Sequence, residues 1–207
     1  MLLLLLLSAG GCGKAPDGAG RASASGTGAV ATSPVSAPAS SIPPPSPLLG
    51  ERVARTQWAR SDDGKSSAPP HCAPLALASA GGTPATARAA DFSGGWGVAF
   101  DLPGLRSAYG FAGPGVLPQD AAPLAAQRAR LDRQWPYMRD LPKLPPSSFA
   151  GYGLSGAQAY PADNPQGHGL QSVAYVRVGG QQCTYNVWSR ISRTHLETLL
   201  DNLRLLR

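Results

Sequence analysis

An α+β domain with a mainly antiparallel sheet is the fold class this chain predicts, and three stretches predict it. Val173–Val178 and Cys183–Trp188 alternate apolar and polar residues on either side of Gly179-Gly180, as a hairpin with one buried face does. Leu196, Leu199, Leu200, Leu203 and Leu206 then recur at helical spacing and make one apolar stripe. Gly95–Asp101 alternates again, with Trp96, Val98 and Phe100 on one side. The leucine stripe needs an apolar surface, and the buried face of a sheet holding the hairpin is the one available.

The elements follow in order. Val53–Arg60 reads as a strand or a short helix with Trp58 on it, and Ser61-Asp62-Asp63-Gly64 as a turn. Ser66–Ala87 is loop-rich and carries Cys72 and the short run Leu75–Ala78. The 95–101 strand ends in the turn Asp101-Leu102-Pro103-Gly104, and Ser107–Phe111 is its return strand. Asp120 caps a helix over 121–134, with Pro123 in the first turn, where its missing N–H is harmless. Leu124, Leu131 and Trp135 mark the buried side of that helix, Arg128, Arg130 and Arg133 its wet side, and Pro136 ends it. An extended connector, LPKLPPSS, follows. Phe149–Tyr160 is a strand or a surface loop, and Pro161–Gly169 a turn-rich loop.

For the terminal hairpin, a two-residue loop with both glycines at positive φ pairs Val178 with Gln181, Val176 with Cys183 and Ala174 with Tyr185. Ala174, Val176, Val178, Cys183, Tyr185 and Val187 then share an apolar face. Tyr175, Arg177, Gln182, Thr184, Asn186 and Trp188 share a mixed one. A four-residue loop is the alternative and pairs Val178 with Cys183. The last helix starts at Ser192, with Ile191 and Leu196 as a hydrophobic staple, or two residues later at a Thr194/Glu197 capping box. Arg204 and Arg207 fall in its last turn, where they suit the helix dipole.

The chain opens MLLLLLLSAGGC. Six leucines are too few to span a bilayer, which takes about 20 apolar residues. They have the form of a secretion leader with a small-residue cleavage site. Read from the residues alone, this is a cleaved signal or a buried leucine run. The ending Ala9-Gly10-Gly11-Cys12 resembles the lipobox of bacterial lipoproteins. That resemblance implies removal of residues 1–11 and acylation of Cys12. With Gly13 next, it also implies anchoring at the periplasmic face of the outer membrane. Residues 12–49 are then a lipidated cysteine and a disordered tether of Ala, Ser, Pro and Gly. Such a stretch has too few bulky apolar side chains to offset ordering entropy, and its coil-like reach is roughly 30–36 Å. Residues 50–207 form a single periplasmic α+β domain.

The resemblance also bears on the thiols. Of three cysteines, acylation consumes Cys12, which leaves Cys72 and Cys183 as a pair in an oxidising compartment. A Cys72–Cys183 disulfide is expected; two unpaired buried thiols are the alternative.

Charge and motifs narrow the function classes. The net charge of +6 is spread along the chain rather than clustered, which argues against a nucleic-acid surface. Gly94, Gly95 and Gly97 lack the Gly-Lys-Ser/Thr of a phosphate loop; glycines beside a strand Trp mark a bulge or close backbone approach. Ser155, in Gly153-Leu154-Ser155-Gly156-Ala157, misses the nucleophile elbow by its last residue. His71 adjoins Cys72, His168 sits in a loop, and His195 opens the last helix. A hydrolase built on these would need a cleft that brings Ser155 or Cys72 to a histidine. No cofactor or metal is expected, and no enzyme. The reading is a lipid-anchored binding or interaction module of the envelope, meeting another envelope protein or a glycan. The alternative is a structural lipoprotein that assists an assembly. A groove lined by Trp58, Trp96 or Tyr152 would favour the first, and a broad apolar patch a protein partner.

Overall fold

The computed structural model describes residues 47–61, 72–82, 84–92, 95–115, 122–181 and 183–207. Cys12, His71, Gly94 and Asp120 lie outside them, as do the leader and most of the tether. Pro44–Arg207 form one compact unit. The described elements are α1 (Glu51–Trp58), β1 (Leu75–Leu77), β2 (Thr86–Ala89), β3 (Trp96–Leu102), β4 (Leu105–Gly115) and α2 (Leu124–Gln134). There follow β5 (Tyr137–Asp140), β6 (Phe149–Leu154), β7 (Ser172–Arg177), β8 (Thr184–Ser189), α3 (Arg193–Asn202) and β9 (Leu203–Leu205).

The fold is α+β, as the pattern predicts. Seven strands make one sheet in the order β2-β3-β4-β8-β7-β6-β5, with every neighbouring pair antiparallel. The chain runs β2-β3-β4 as a meander, crosses through α2 to the far edge, and returns by β5-β6-β7-β8 to lay β8 beside β4. Period-two alternation sorts the side chains. Trp96, Val98, Phe100, Phe111, Ala174, Val176, Tyr185 and Val187 point to one face and are buried. That face is covered by α1, by α3 and by the small β1–β9 pair. The opposite face is covered at the β5–β6 end by α2, where Leu131, Trp135 and Phe149 form a second, smaller core.

Ser192 is the cap of α3, its hydroxyl accepting from the His195 N–H at 3.0 Å. Leu196, Leu199 and Leu200 are buried on the sheet. The leucine stripe does not continue as helix. Leu203 has extended backbone, and Leu203–Leu205 pair with Leu75–Leu77 as β9. Leu203 and Leu206 stay buried all the same. Arg204 and Arg207 are therefore not in a last helical turn, which corrects that expectation. The sheet hydrogen bonds that β1 offers replace the turns a longer helix would add.

The hairpin takes the four-residue alternative. Val176 faces Tyr185, Ala174 faces Val187 and Arg177 faces Thr184. This register differs from the two-residue one by two residues, so the described strand side chains keep their faces, and Gln182 lies outside the described residues. Gly180 alone of the pair has positive φ, at 79°, in the turn closed by Gln181 N–H to Val178 carbonyl. Gly179 is held instead by crowding: a Cβ there would lie 1.7 Å from the Pro146 carbonyl oxygen.

Other boundaries shift. Val53–Arg60 resolves to the helix α1, Phe149–Tyr160 begins as the strand β6, and the return strand reaches from Leu105 to Gly115. α2 starts at Leu124 with Pro123 in the cap position and no side-chain cap. β2 and β5, at the two edges, have no counterpart in the expected elements. Cys72 and Cys183 are joined by a disulfide with their Cα atoms 5.6 Å apart. It ties residues 72–77 to the start of β8. Around it the Tyr185 hydroxyl lies 2.8 Å from the Ala73 carbonyl and also reaches the Gln181 side chain, which accepts from the Ala73 N–H.

Candidate functional site

On the sheet face that α2 leaves uncovered, beside the small core of Leu131, Trp135 and Phe149, lies an open groove of about 470 Å³. Its size falls within the roughly 300–1,000 Å³ of small-ligand clefts. Asn186 and Trp188 of β8 and Val173 of β7 form the floor. Gln171 and Arg190 stand at the strand ends, and Asp91, Phe92 and Ser107 make the wall toward β3 and β4. Trp188 faces Gly110 on one side and Val173 on the other. The strand chemistry places it here: β8 buries Tyr185 and Val187 in the core, so Asn186 and Trp188 must face the other way. Gly110 makes room for the indole. A Cβ there would lie 2.3 Å and 2.6 Å from Cζ2 and Cη2 of Trp188.

The wall is held by a short polar network. Ser107 has φ 51°, a left-handed backbone that costs a residue with a Cβ about 1 kcal/mol or more. The Asp101 carboxylate offsets this by accepting the Ser107 N–H at 2.6 Å, and it also pairs with Arg88 at 2.8 Å. Arg88 in turn donates to the Ser107 hydroxyl. These contacts, the Ser107 N–H above all and then Arg88, hold the Asp101 carboxyl below its ordinary range. Arg190 donates to the Arg106 carbonyl at 3.0 Å. Asn186 lies across Gly115, with its Oδ1 buried and accepting no hydrogen bond among the described residues.

The aromatic residues expected to line a groove are elsewhere. Trp96 is fully buried in the main core, and Trp58 is half-buried on α1. Tyr152 is buried with its hydroxyl donating to Glu197 at 2.8 Å. It stacks on Tyr137, which also meets Tyr160 and carries the Arg193 guanidinium 4.9 Å from its ring centre. Burial, then the Glu197 carboxylate, pushes the Tyr152 phenol up. This cluster is closed by its own arginine and fastens the 155–170 loop to α3. The groove tryptophan is Trp188. The signal for it was in the sequence: a large aromatic at a position of β8 that alternation assigns to the mixed face.

Among the described residues, those weighed for catalysis are not brought together. Cys72 is in the disulfide, and Ser155 sits on an exposed turn with its N–H bonded to the Gln171 carbonyl. His168 is exposed, and its backbone is bonded to Asn164. The histidine with a serine partner is His195, whose Nδ1 lies 2.9 Å from the Ser189 hydroxyl. Its Nε2 lies 3.0 Å from the Ala80 carbonyl, which can only accept, so Nε2 carries the proton and Nδ1 accepts from Ser189. The Ser189 oxygen also accepts the Ile191 N–H. Ser189 is fully buried, and this dyad ties α3 to β8 and to the 78–80 segment. Burial, opposed by the Ala80 carbonyl, lowers the imidazole below its ordinary value.

Among the described residues no three His, Cys, Asp or Glu side chains converge as a metal set, and no helix is long and apolar enough to cross a membrane. No family model, curated protein or solved structure matches the chain.

Proposed function

We propose that this chain is a lipoprotein anchored through Cys12 to the periplasmic face of the outer membrane. Its domain works as a binding module of the cell envelope and takes its ligand in the Trp188 groove. The groove is the observation that carries the reading: a concave site with an aromatic floor and a mixed polar rim, on a sheet stiffened by two cores and a disulfide. A ligand site on strands of a rigid sheet keeps its geometry better than one on loops. Among the described residues Leu49 is the exposed large apolar side chain. A broad apolar docking patch, which would favour a protein partner, finds no support there. The leader and Cys12 support the anchor, and the tether gives the domain reach.

Two measurements test the two halves. Mass spectrometry of the mature protein should find acyl chains on Cys12, and Cys12→Ser should release the protein from membranes or leave the precursor uncleaved. A wild-type protein that is soluble and unacylated sinks the anchor. Envelope fragments stripped of lipid by detergent should retain the wild-type protein and lose it on Trp188→Ala. Equal retention of both sinks the groove.

A further inference from the structure

We infer that the Trp188 groove takes a neutral saccharide, with a sugar ring stacked on the indole and its hydroxyls bonded to the rim. The inference rests on the reading of this groove as the ligand site. Trp188 is half-buried and seated on Gly110, so its ring is backed by the sheet and offered to the groove as a platform. A pyranose has an apolar C–H face that suits such a platform and a rim of hydroxyls that both donate and accept. The groove answers that rim in kind. Gln171 supplies an amide, Ser107 a hydroxyl, Asp91 an acceptor and Arg190 a donor.

Charge argues for a neutral sugar over an anionic one or a nucleotide. The lining holds one carboxylate and one guanidinium, Asp91 and Arg190. Asp91 offsets the Arg190 charge within the lining, and nearby Arg88 is paired with Asp101. A phosphate or a polyanion would need cations that are not so engaged. Topology argues against an added peptide strand. Strand addition needs an open edge, and the edges of this sheet are β2 and β5, whereas Asn186 and Trp188 lie on the face of the central strand β8.

The test uses the full chain, labelled with ¹⁵N-tryptophan, in a detergent without a sugar headgroup. It is titrated with N,N′,N″-triacetylchitotriose and with cellotriose, and separately with AMP, a mixture of short peptides and a soluble envelope extract. At least one sugar should shift the Trp188 indole N–H resonance, assigned through Trp188→Phe, in a saturable way with a Kd of about 1 mM or tighter. Read by sugar-observed NMR titration, since these variants lack the indole, Trp188→Phe should keep the affinity within a few fold, and Trp188→Ala should weaken it roughly tenfold or more. Should Trp188→Ala not fold, the exposed Gln171→Ala should still weaken sugar binding by a few fold. If neither sugar moves the resonance but AMP, peptide or an extract freed of saccharides does, the saccharide is wrong and the groove remains a ligand site. If nothing moves it, both fail.

Discussion

Breaking the Cys72–Cys183 bond should destabilise the domain by about 4–5 kcal/mol. The half-cystines are 111 residues apart. The loop-closure expression, 2.1 plus 1.5R ln n in cal/mol/K, gives about 16 cal/mol/K for that loop, or about 4.8 kcal/mol at 25 °C. A domain of ordinary stability has only about 5–15 kcal/mol in total. The loss should therefore lower Tm by roughly 10–20 °C. Cys72→Ala, Cys183→Ala and the double variant should be compared with the wild type in urea, with no reductant present. Alanine is the right replacement at Cys72, which is 1% exposed and would bury a serine hydroxyl. Each single variant already breaks the bond, so the singles and the double should lose nearly the same stability. Losses that simply add would mean that side-chain packing, not the crosslink, carries the effect. A double variant within about 1 kcal/mol of the wild type would refute the entropic argument outright.

Leu199 is fully buried between α3 and the sheet, and Leu199→Ala should cost about 2–5 kcal/mol in the same assay; a loss under 1 kcal/mol would mean the helix is not packed as described. Ser192→Ala removes the acceptor for the His195 N–H and should cost about 0.5–2 kcal/mol, with Ser192→Asp restoring most of it. Burial lowers the His195 imidazole below 6.5, so the unfolded chain takes up its proton first as pH falls. Stability should then decline from about pH 6.5 down to the folded-state value and level off below it, and His195→Gln should flatten that slope. A urea midpoint that rises on acidification through this window would contradict the sign.

The chain itself determined the features that depend on near neighbours. Alternation in Val173–Val178 and Cys183–Trp188 assigned the paired strand side chains to their faces, since a side chain's direction is set by its own strand. Ser192 capped the last helix as its spacing to His195 requires, and strand β3 buried Trp96, Val98 and Phe100. Only the tertiary structure decided what depends on distant partners. The hairpin register is one case. A slip of two residues leaves the pattern unchanged, so the crowding of Gly179 against Pro146 and the joining of Cys183 to Cys72 decide it. The end of α3 is another. Leu203 suits a helix stripe and a strand equally, and β1, arriving from residues 75–77, supplies the strand partner. Thr86–Ala89 and Tyr137–Asp140 carry too weak a pattern to read as strands. As edge strands they are defined by the hydrogen bonds of β3 and β6. The groove belongs to this class too. Trp188 could be placed on the mixed face from sequence, but a concave site requires Gly110, Asp91 and Ser107 to meet it from strands and turns some 80–100 residues away. No local pattern encodes that meeting, because it exists only once β4 and β8 are hydrogen-bonded side by side.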